Sequence, residues 1–342
     1  DLENKVVALL KPRVGQPTGW VYNWSVPTAP AKPSMRTGIF LNYAGGFLEA
    51  VDEVVELEKV GVDIALVAEA YSFDAISQLG FLAAKTSRIE LGSGVVPIYI
   101  RTPSLLAMTA AGLDYVSDGR FRLGIGTSGP QVMEGFHGVP FDAPLGRTRE
   151  DVEICRQVWR RENVQFDAKY YQIPLPPDRG TGLGKPLHLI NHPVRERIPI
   201  TIAALGPKNV ELTAEIAEGW QPVFFHPEKA DSAWGDALRA GMAKRDPELG
   251  PLDLMVSASL AIGDDVVDRF AHDAVGLEFE GCLEEGDLEF LAFAGAFAVE
   301  EGGTDAHRGR QARRAVGHGG AGDGGGGAVV IGLGFGGHKA PV

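Results

Sequence analysis

The chain has 342 residues, 44% of them hydrophobic, and a formal net charge of -13. That is apolar material for a large core, and the scattered acidic residues read as a soluble surface, without the basic stripe of a nucleic-acid binder. No apolar run reaches the ~18 residues of a membrane span and no secretory leader pattern opens the chain. Cys155 and Cys282 lie far apart without a CxxC or a histidine at metal spacing, so they read as structural thiols of a cytoplasmic protein without a metal.

Residues 1–34 hold five prolines and no helical or strand period, and are expected to form a disordered extension. From Met35 one pattern repeats, a short apolar run followed by an amphipathic helical stretch. The first strand falls near 36–42. The helix after it sets Leu48, Val51 and Val55 on one face and Glu49, Asp52, Glu53 and Glu56 on the other, and ends at Gly61, where a left-handed residue is needed. The second strand, 63–69, contains the continuous run Ile64 to Val67, suited to burial on both faces. The third, 89–95, is broken by Gly92 and Gly94. A helix follows with Thr102-Pro103 as cap and first turn, closing before Asp118-Gly119.

A fourth strand at 120–126 leads to a helix around 144–162, a small hairpin over 164–171 and a Pro/Gly-rich stretch from Pro174 to Pro186. Such an excursion usually caps the mouth of a barrel. Strands near 198–204, 220–225 and 253–262 complete seven β/α units. That number in line favours an α/β fold of the TIM (β/α)8 type over an open sheet. The barrel domain is set at 35–263, with an insertion between strands four and five. Residues 264–342 form an atypical segment, glycine-rich from 302, so the eighth unit is expected to be degenerate or missing. Gly332, Gly334 and Gly337 satisfy GxGxxG, but only five residues follow, too few for the helix a dinucleotide site requires.

Several strand ends carry chemistry. Gly94-Val95 in the third strand marks either a bulge against a flat ring or ordinary interior packing. Gly126, Thr127 and Ser128 end the fourth with small and hydroxyl residues. Ala203-Ala204-Leu205-Gly206-Pro207-Lys208 is either an ordinary β/α turn or a phosphate site at a helix amino terminus. Glu69 ends the second strand, where a carboxylate often serves function. His137 lies on the loop after the fourth. Glu69 and His137 are the candidate acid/base groups.

Gly119-Arg120-Phe121-Arg122-Leu123-Gly124-Ile125-Gly126, with Gly138-Val139-Pro140-Phe141 and Arg147-Thr148-Arg149-Glu150, resembles the luciferase-like monooxygenase superfamily. The likeness is strongest to its actinobacterial branch of coenzyme F420-dependent oxidoreductases. Ile198-Pro199 through Asn209 and Glu218-Gly219-Trp220 form a second match. The resemblance implies a ring system at the strand ends, cofactor phosphate at the turn 203–208, and a non-proline cis peptide at Gly94-Val95. Where several relatives have Asp-His after strand two, this chain has Glu69-Ala70.

The leading expectation is an oxidoreductase passing a hydride between coenzyme F420 and a small organic substrate. The alternatives are an FMN-dependent luciferase-like monooxygenase and a non-catalytic chain with an incomplete barrel. An acidic cofactor tail calls for a basic rim, with Lys185, Arg195, Arg197 and Lys208 as candidates. No nucleic-acid or membrane partner is expected, and a homodimer is left open.

Overall fold

The computed structural model describes residues 36–41, 46–223, 225–259 and 327–332. The expected extension 1–34 and most of the segment 264–342 lie outside the described residues. Alternating apolar runs and helices produce β1 (Arg36–Leu41), α1 (Phe47–Val60), β2 (Ile64–Val67), α2 (Ala75–Lys85), β3 (Glu90–Ser93), β4 (Val96–Pro97), α3 (Pro103–Val116), β5 (Phe121–Gly126) and the short α4 (Pro130–Gly135). Then come α5 (Pro144–Trp159), a two-stranded hairpin of β6 (Phe166–Asp167) and β7 (Gln172–Ile173), β8 (Ile200–Ala203), α6 (Pro207–Ile216), β9 (Gly219–Gln221), α7 (Pro227–Met242), β10 (Asp253–Ser259) and β11 (Gly327–Gly332).

Helix ends follow local chemistry. Gly61 closes α1 at φ 103, with its amide on the Glu58 and Leu57 carbonyls. The Thr102 hydroxyl accepts from the Leu105 amide, ahead of Pro103 at the first turn of α3. In α1 the buried stripe is Val51 and Val54, while Leu48 is 65% exposed. Val54 completes the buried face and Val55 is only half-buried, so the core lies on the Val54 side of Val51.

Every ladder of the main sheet is parallel, and β3 pairs with both β2 and β5, which closes the sheet into a barrel. β3 and β4 share one of eight positions, interrupted by the Gly94-Val95 cis peptide. The eighth position is filled by β11, between β1 and β10, with Arg36 opposite Ala328 and Met255 opposite the same residue. Sequence reasoning assigned no strand there. The run Ala328-Val329-Val330-Ile331 sits inside a glycine-dense stretch, and the entropy argument against order in that stretch does not bear on four apolar residues completing a ladder. The eighth unit is thus reduced, but it keeps its strand.

Across the barrel floor Arg36, Glu90, Arg122 and Asp253 form a closed ion-pair cycle. Arg36 reaches Glu90 at 2.5 Å and also Asp253; Arg122 meets Glu90 at 2.8 Å and Asp253 at 3.1 Å. These strands are not all neighbours, so the side chains meet through the interior. Two positive and two negative groups balance there, which is how charge survives burial. Above them Phe40, Ile64, Leu66 and Met255 form a small inner cluster, separate from the larger core between sheet and helices. In that outer core Trp159 donates to the Ala107 carbonyl at 3.0 Å and Trp220 to the Ala204 carbonyl at 2.9 Å. Cys155 is fully buried among these helices, in keeping with a structural thiol.

Candidate functional site

The carboxyl ends of the parallel strands bring most of the nominated residues to one end of the barrel. The break between β3 and β4 presses against β5. A Cβ at Gly124 would fall 1.8 Å from the Ser93 carbonyl oxygen, so glycine there is demanded by the neighbouring backbone rather than by a ligand. At Gly126 a Cβ would lie 2.7 Å from Val95 Cγ2 and 3.5 Å from Ala203 Cβ. Val95, Gly126 and Ala203 therefore meet, and half-buried Val95 lies across the end of β5. Thr127 and Ser128 continue outward, Ser128 with φ 57.

Gly206 has φ -67, and a Cβ on it would meet nothing within 4 Å. Its carbonyl accepts from Asn209 and Val210. Pro207 lacks an N–H, and helix geometry leaves the Lys208 amide without an intrahelical acceptor. Leu205, Gly206, Pro207 and Lys208 are exposed, whereas Ala204 is buried and gives its carbonyl to Trp220. This end of α6 is an open amide edge with a lysine upon it, a suitable seat for an anion.

Glu69 is 8% exposed and fully engaged. Its oxygens accept from Arg101 at 2.6 and 3.0 Å, and Oε2 also accepts the Ala75 amide at 2.9 Å. Arg101 holds Asp74 as well, at 2.9 Å. Burial opposes ionisation of Asp74, but hydrogen bonds from Ser77 and the charge of Arg101 hold it below the usual carboxylate range. The pair ties the end of β2 to the start of α3. Glu69 thus has the surroundings of an anchor rather than of a free base.

His137 reaches the same region from the loop after β5. Its Nε2 lies 3.2 Å from the Ala70 carbonyl, and its ring stands edge-on to Phe136 at 5.0 Å. A carbonyl can only accept, so Nε2 carries a proton directed at Ala70, and Nδ1 is the ring nitrogen outside that bond.

The basic rim is only partly as expected. Arg195 bonds the fully buried Asp114 and the Phe121 carbonyl, at the entry of β5. Arg197 pairs at 3.1 Å with Glu218, ahead of β9. Both arginines lie at the amino ends of the strands, opposite Gly206, and cannot line the mouth. Spacing alone could not tell the end of a long excursion from its return to the barrel floor. Lys185 and Lys208 are exposed.

Two features escaped sequence reasoning. Gln221, at the end of β9, is 8% exposed and donates from Nε2 to the Gly94 carbonyl at 3.5 Å, while its Oε1 is buried without a partner among the described residues. The second is a flank cavity of about 730 Å³ bordered by Arg101, Asp142, Arg147, Tyr171 and Arg179. Arg147 pairs with Asp142 and lies 5.5 to 6.0 Å from the rings of Tyr99, Tyr170 and Tyr171. Behind Tyr171 the buried Asp151 is pushed up to about 8 by burial, against the opposing effects of Tyr171 and Arg147. The adjacent Tyr170-Tyr171 pair is the available signal in the sequence, where it is indistinguishable from ordinary hairpin residues.

Comparisons with known proteins agree with this geometry. The luciferase-like monooxygenase family model matches residues 30–315. A Mycobacterium tuberculosis protein, provisionally named as a coenzyme F420-dependent oxidoreductase, is 42% identical over 69% of this chain and 70% of its own. The 5,10-methylenetetrahydromethanopterin reductase of Archaeoglobus fulgidus is 32% identical over 61% of this chain, which spans 58% of that enzyme. Among solved structures, the coenzyme F420-dependent tetrahydromethanopterin reductase of Methanopyrus kandleri superposes with a TM-score of 0.61 at 21% identity, covering 76% of each chain. A parallel barrel interrupted at its third strand, matched by the family model along most of its length, leads to one assignment: the chain belongs to the luciferase-like monooxygenase family.

Proposed function

We propose that this chain is an oxidoreductase that uses coenzyme F420 and passes a hydride between that cofactor and a small organic substrate. The observation that carries the reading is the break in the third strand, where Val95 lies against Gly126 and Ala203 and the Gly94 carbonyl meets an amide with an unclaimed oxygen. The 42% identity to the mycobacterial relative supports F420 as the cofactor. These residues fit a flat heteroaromatic ring: one apolar face from Val95, a polar edge from Gln221, and the open amide edge of α6 for a phosphate.

Bound there, the cofactor supplies a carbon centre that gives or accepts a hydride. The protein positions and shields. Val95 and Gly94 set the ring plane, Gly206 to Lys208 hold the anionic end, and Thr127 and Ser128 offer hydroxyls along the way. The Glu69–Arg101 pair fixes the wall at the end of β2. His137 Nδ1 is the group free to hold or move a proton, with Ala70 fixing the tautomer. Precise placement of this kind is worth several kcal/mol in a transfer between two bound partners.

Fluorescence titration of purified protein with F420 and with FMN tests the reading, alongside Gly206→Asp. At φ -67 with open space around the Cβ, aspartate fits without strain, so its effect falls on the ligand. A carboxylate ~4 Å from a phosphate costs about 4 kcal/mol at an effective dielectric near 20, roughly a thousandfold in affinity. Tighter binding of FMN than F420 to the parent protein would replace the cofactor named here. Unchanged binding to Gly206→Asp would remove the phosphate from this turn.

A further inference from the structure

We infer that Gln221 is a positioning residue that reads the polar edge of the bound ring, its Oε1 accepting the imide N–H of a pyrimidinedione. The inference rests on the cofactor reading above and names a contact within that site. Gln221 follows outward-facing Trp220 on β9, so its side chain turns into the barrel, and it reaches across to the Gly94 carbonyl on the interrupted third strand. That carbonyl can only accept, which assigns the nearer amide atom as Nε2 and leaves Oε1 as the acceptor in need of a donor. Glutamine at 8% exposure with a vacant acceptor is uncommon in a native interior, because buried polar atoms nearly always find partners.

The surroundings narrow the donor. Gly94 and Val95 form the bulge on one side, and on the adjoining wall Gly126 and Ala203 pack directly against Val95, so that side chain is the apolar surface a planar group would meet. An imide places its N–H between two carbonyls. The N–H meets Oε1, and a flanking carbonyl lies in reach of Nε2, whose 3.5 Å contact to Gly94 is long and easily shared. One amide then satisfies both halves of the edge, and the in-plane requirement sets the tilt of the ring over Val95.

The test is a chemical double-mutant cycle on the full chain. The probes are 5-deazariboflavin and its N3-methyl derivative, titrated by fluorescence into the parent, Gln221→Met and Gln221→Asn. In the parent, methylation should weaken binding about tenfold, the worth of one hydrogen bond of ~1.4 kcal/mol. In Gln221→Met, which conserves volume but cannot accept, the parent probe should weaken about tenfold and methylation should then cost under twofold. Gln221→Asn keeps the amide but draws it back by one methylene, and it should also lose the discrimination. The melting temperature of Gln221→Met without ligand should equal or exceed that of the parent, since a vacant buried acceptor has been removed. Equal binding of both probes to the parent overturns the assignment, as does a methylation penalty that persists in Gln221→Met. Failure of 5-deazariboflavin itself to bind the parent overturns the ring site and this contact together.

Discussion

Glu69→Gln separates an anchor from an acid/base group. The substitution keeps size and removes charge from a carboxylate whose side chain is 5% exposed, against a guanidinium that is 11% exposed. Two bonds between opposite charges, at 2.6 and 3.0 Å, become one bond from the guanidinium to a neutral carbonyl, and in either orientation the glutamine NH2 faces an Arg101 N–H, donor against donor. Breaking a buried pair commonly costs 3–5 kcal/mol. Here Arg101 keeps Asp74 at 2.9 Å, so the guanidinium is not stranded, and about 2–3 kcal/mol is expected. Urea denaturation of the parent, Glu69→Gln, Arg101→Met and the double variant gives the coupling, expected near 1.5–3 kcal/mol. Hydride transfer by Glu69→Gln should keep the shape of its pH profile, with a change in rate of under tenfold. A variant as stable as the parent that loses one limb of that profile would refute the anchor and restore Glu69 as the proton-transfer group.

Other outcomes follow from the same geometry. Asp151 is held neutral near pH 7 by burial, with a folded value of about 8 against an ordinary 3.8. The folded chain therefore holds a proton that the unfolded chain has lost, so the contribution of Asp151 to stability is most favourable below about pH 4 and falls by up to about 1.4 kcal/mol per unit until about pH 8. Asp151→Asn should flatten that slope in melting experiments across this range, and an unchanged slope would place the carboxylate in a wetter site. Arg195→Met should leave F420 affinity within twofold yet cost about 3 kcal/mol in denaturant, because the fully buried Asp114 loses its cation. A selective loss of F420 affinity in that variant would return Arg195 to the mouth. His137→Asn should lower the hydride-transfer rate while leaving F420 binding within about twofold, as read by stopped-flow absorbance and titration; an unaltered rate would remove it as the proton carrier.

The barrel was legible because its strands are buried on both faces and its helices carry caps. Runs such as Ile64 to Val67 leave no polar face to confuse with a surface strand, and Thr102-Pro103 and Gly61 mark helix ends by backbone chemistry that hardly depends on tertiary context. The eighth strand was not legible for the converse reason. Glycine density is averaged over tens of residues, while Ala328 to Ile331 forms a strand through partners just over 70 residues before it and about 290 before it, β10 and β1. A composition argument weighs the entropy of the segment and omits the ladder that receives it.

At the site, backbone-determined features were readable and side-chain partnerships were not. Gly206-Pro207 is set by local covalent geometry and opens its helix where the sequence placed it, and the Gly94-Val95 cis peptide stands where the family resemblance implied it. Whether Glu69 is a base or an anchor depends on Arg101, 32 residues later, and on α2 beginning at Ala75 so that its first amide can be donated. Arg195 and Lys208 look alike in sequence, yet one meets a buried aspartate on the floor while the other stands exposed at the mouth, because a β/α barrel returns the chain to its floor between successive strand ends. Gln221 shows the limit most plainly. Beside Trp220, whose indole commits that side to the outer helices, period-two alternation already placed residue 221 inside. What alternation could not supply was the vacancy: an inward glutamine is unremarkable if a neighbour answers both ends of its amide. In the folded barrel Gly94 answers one end and no described residue answers the other.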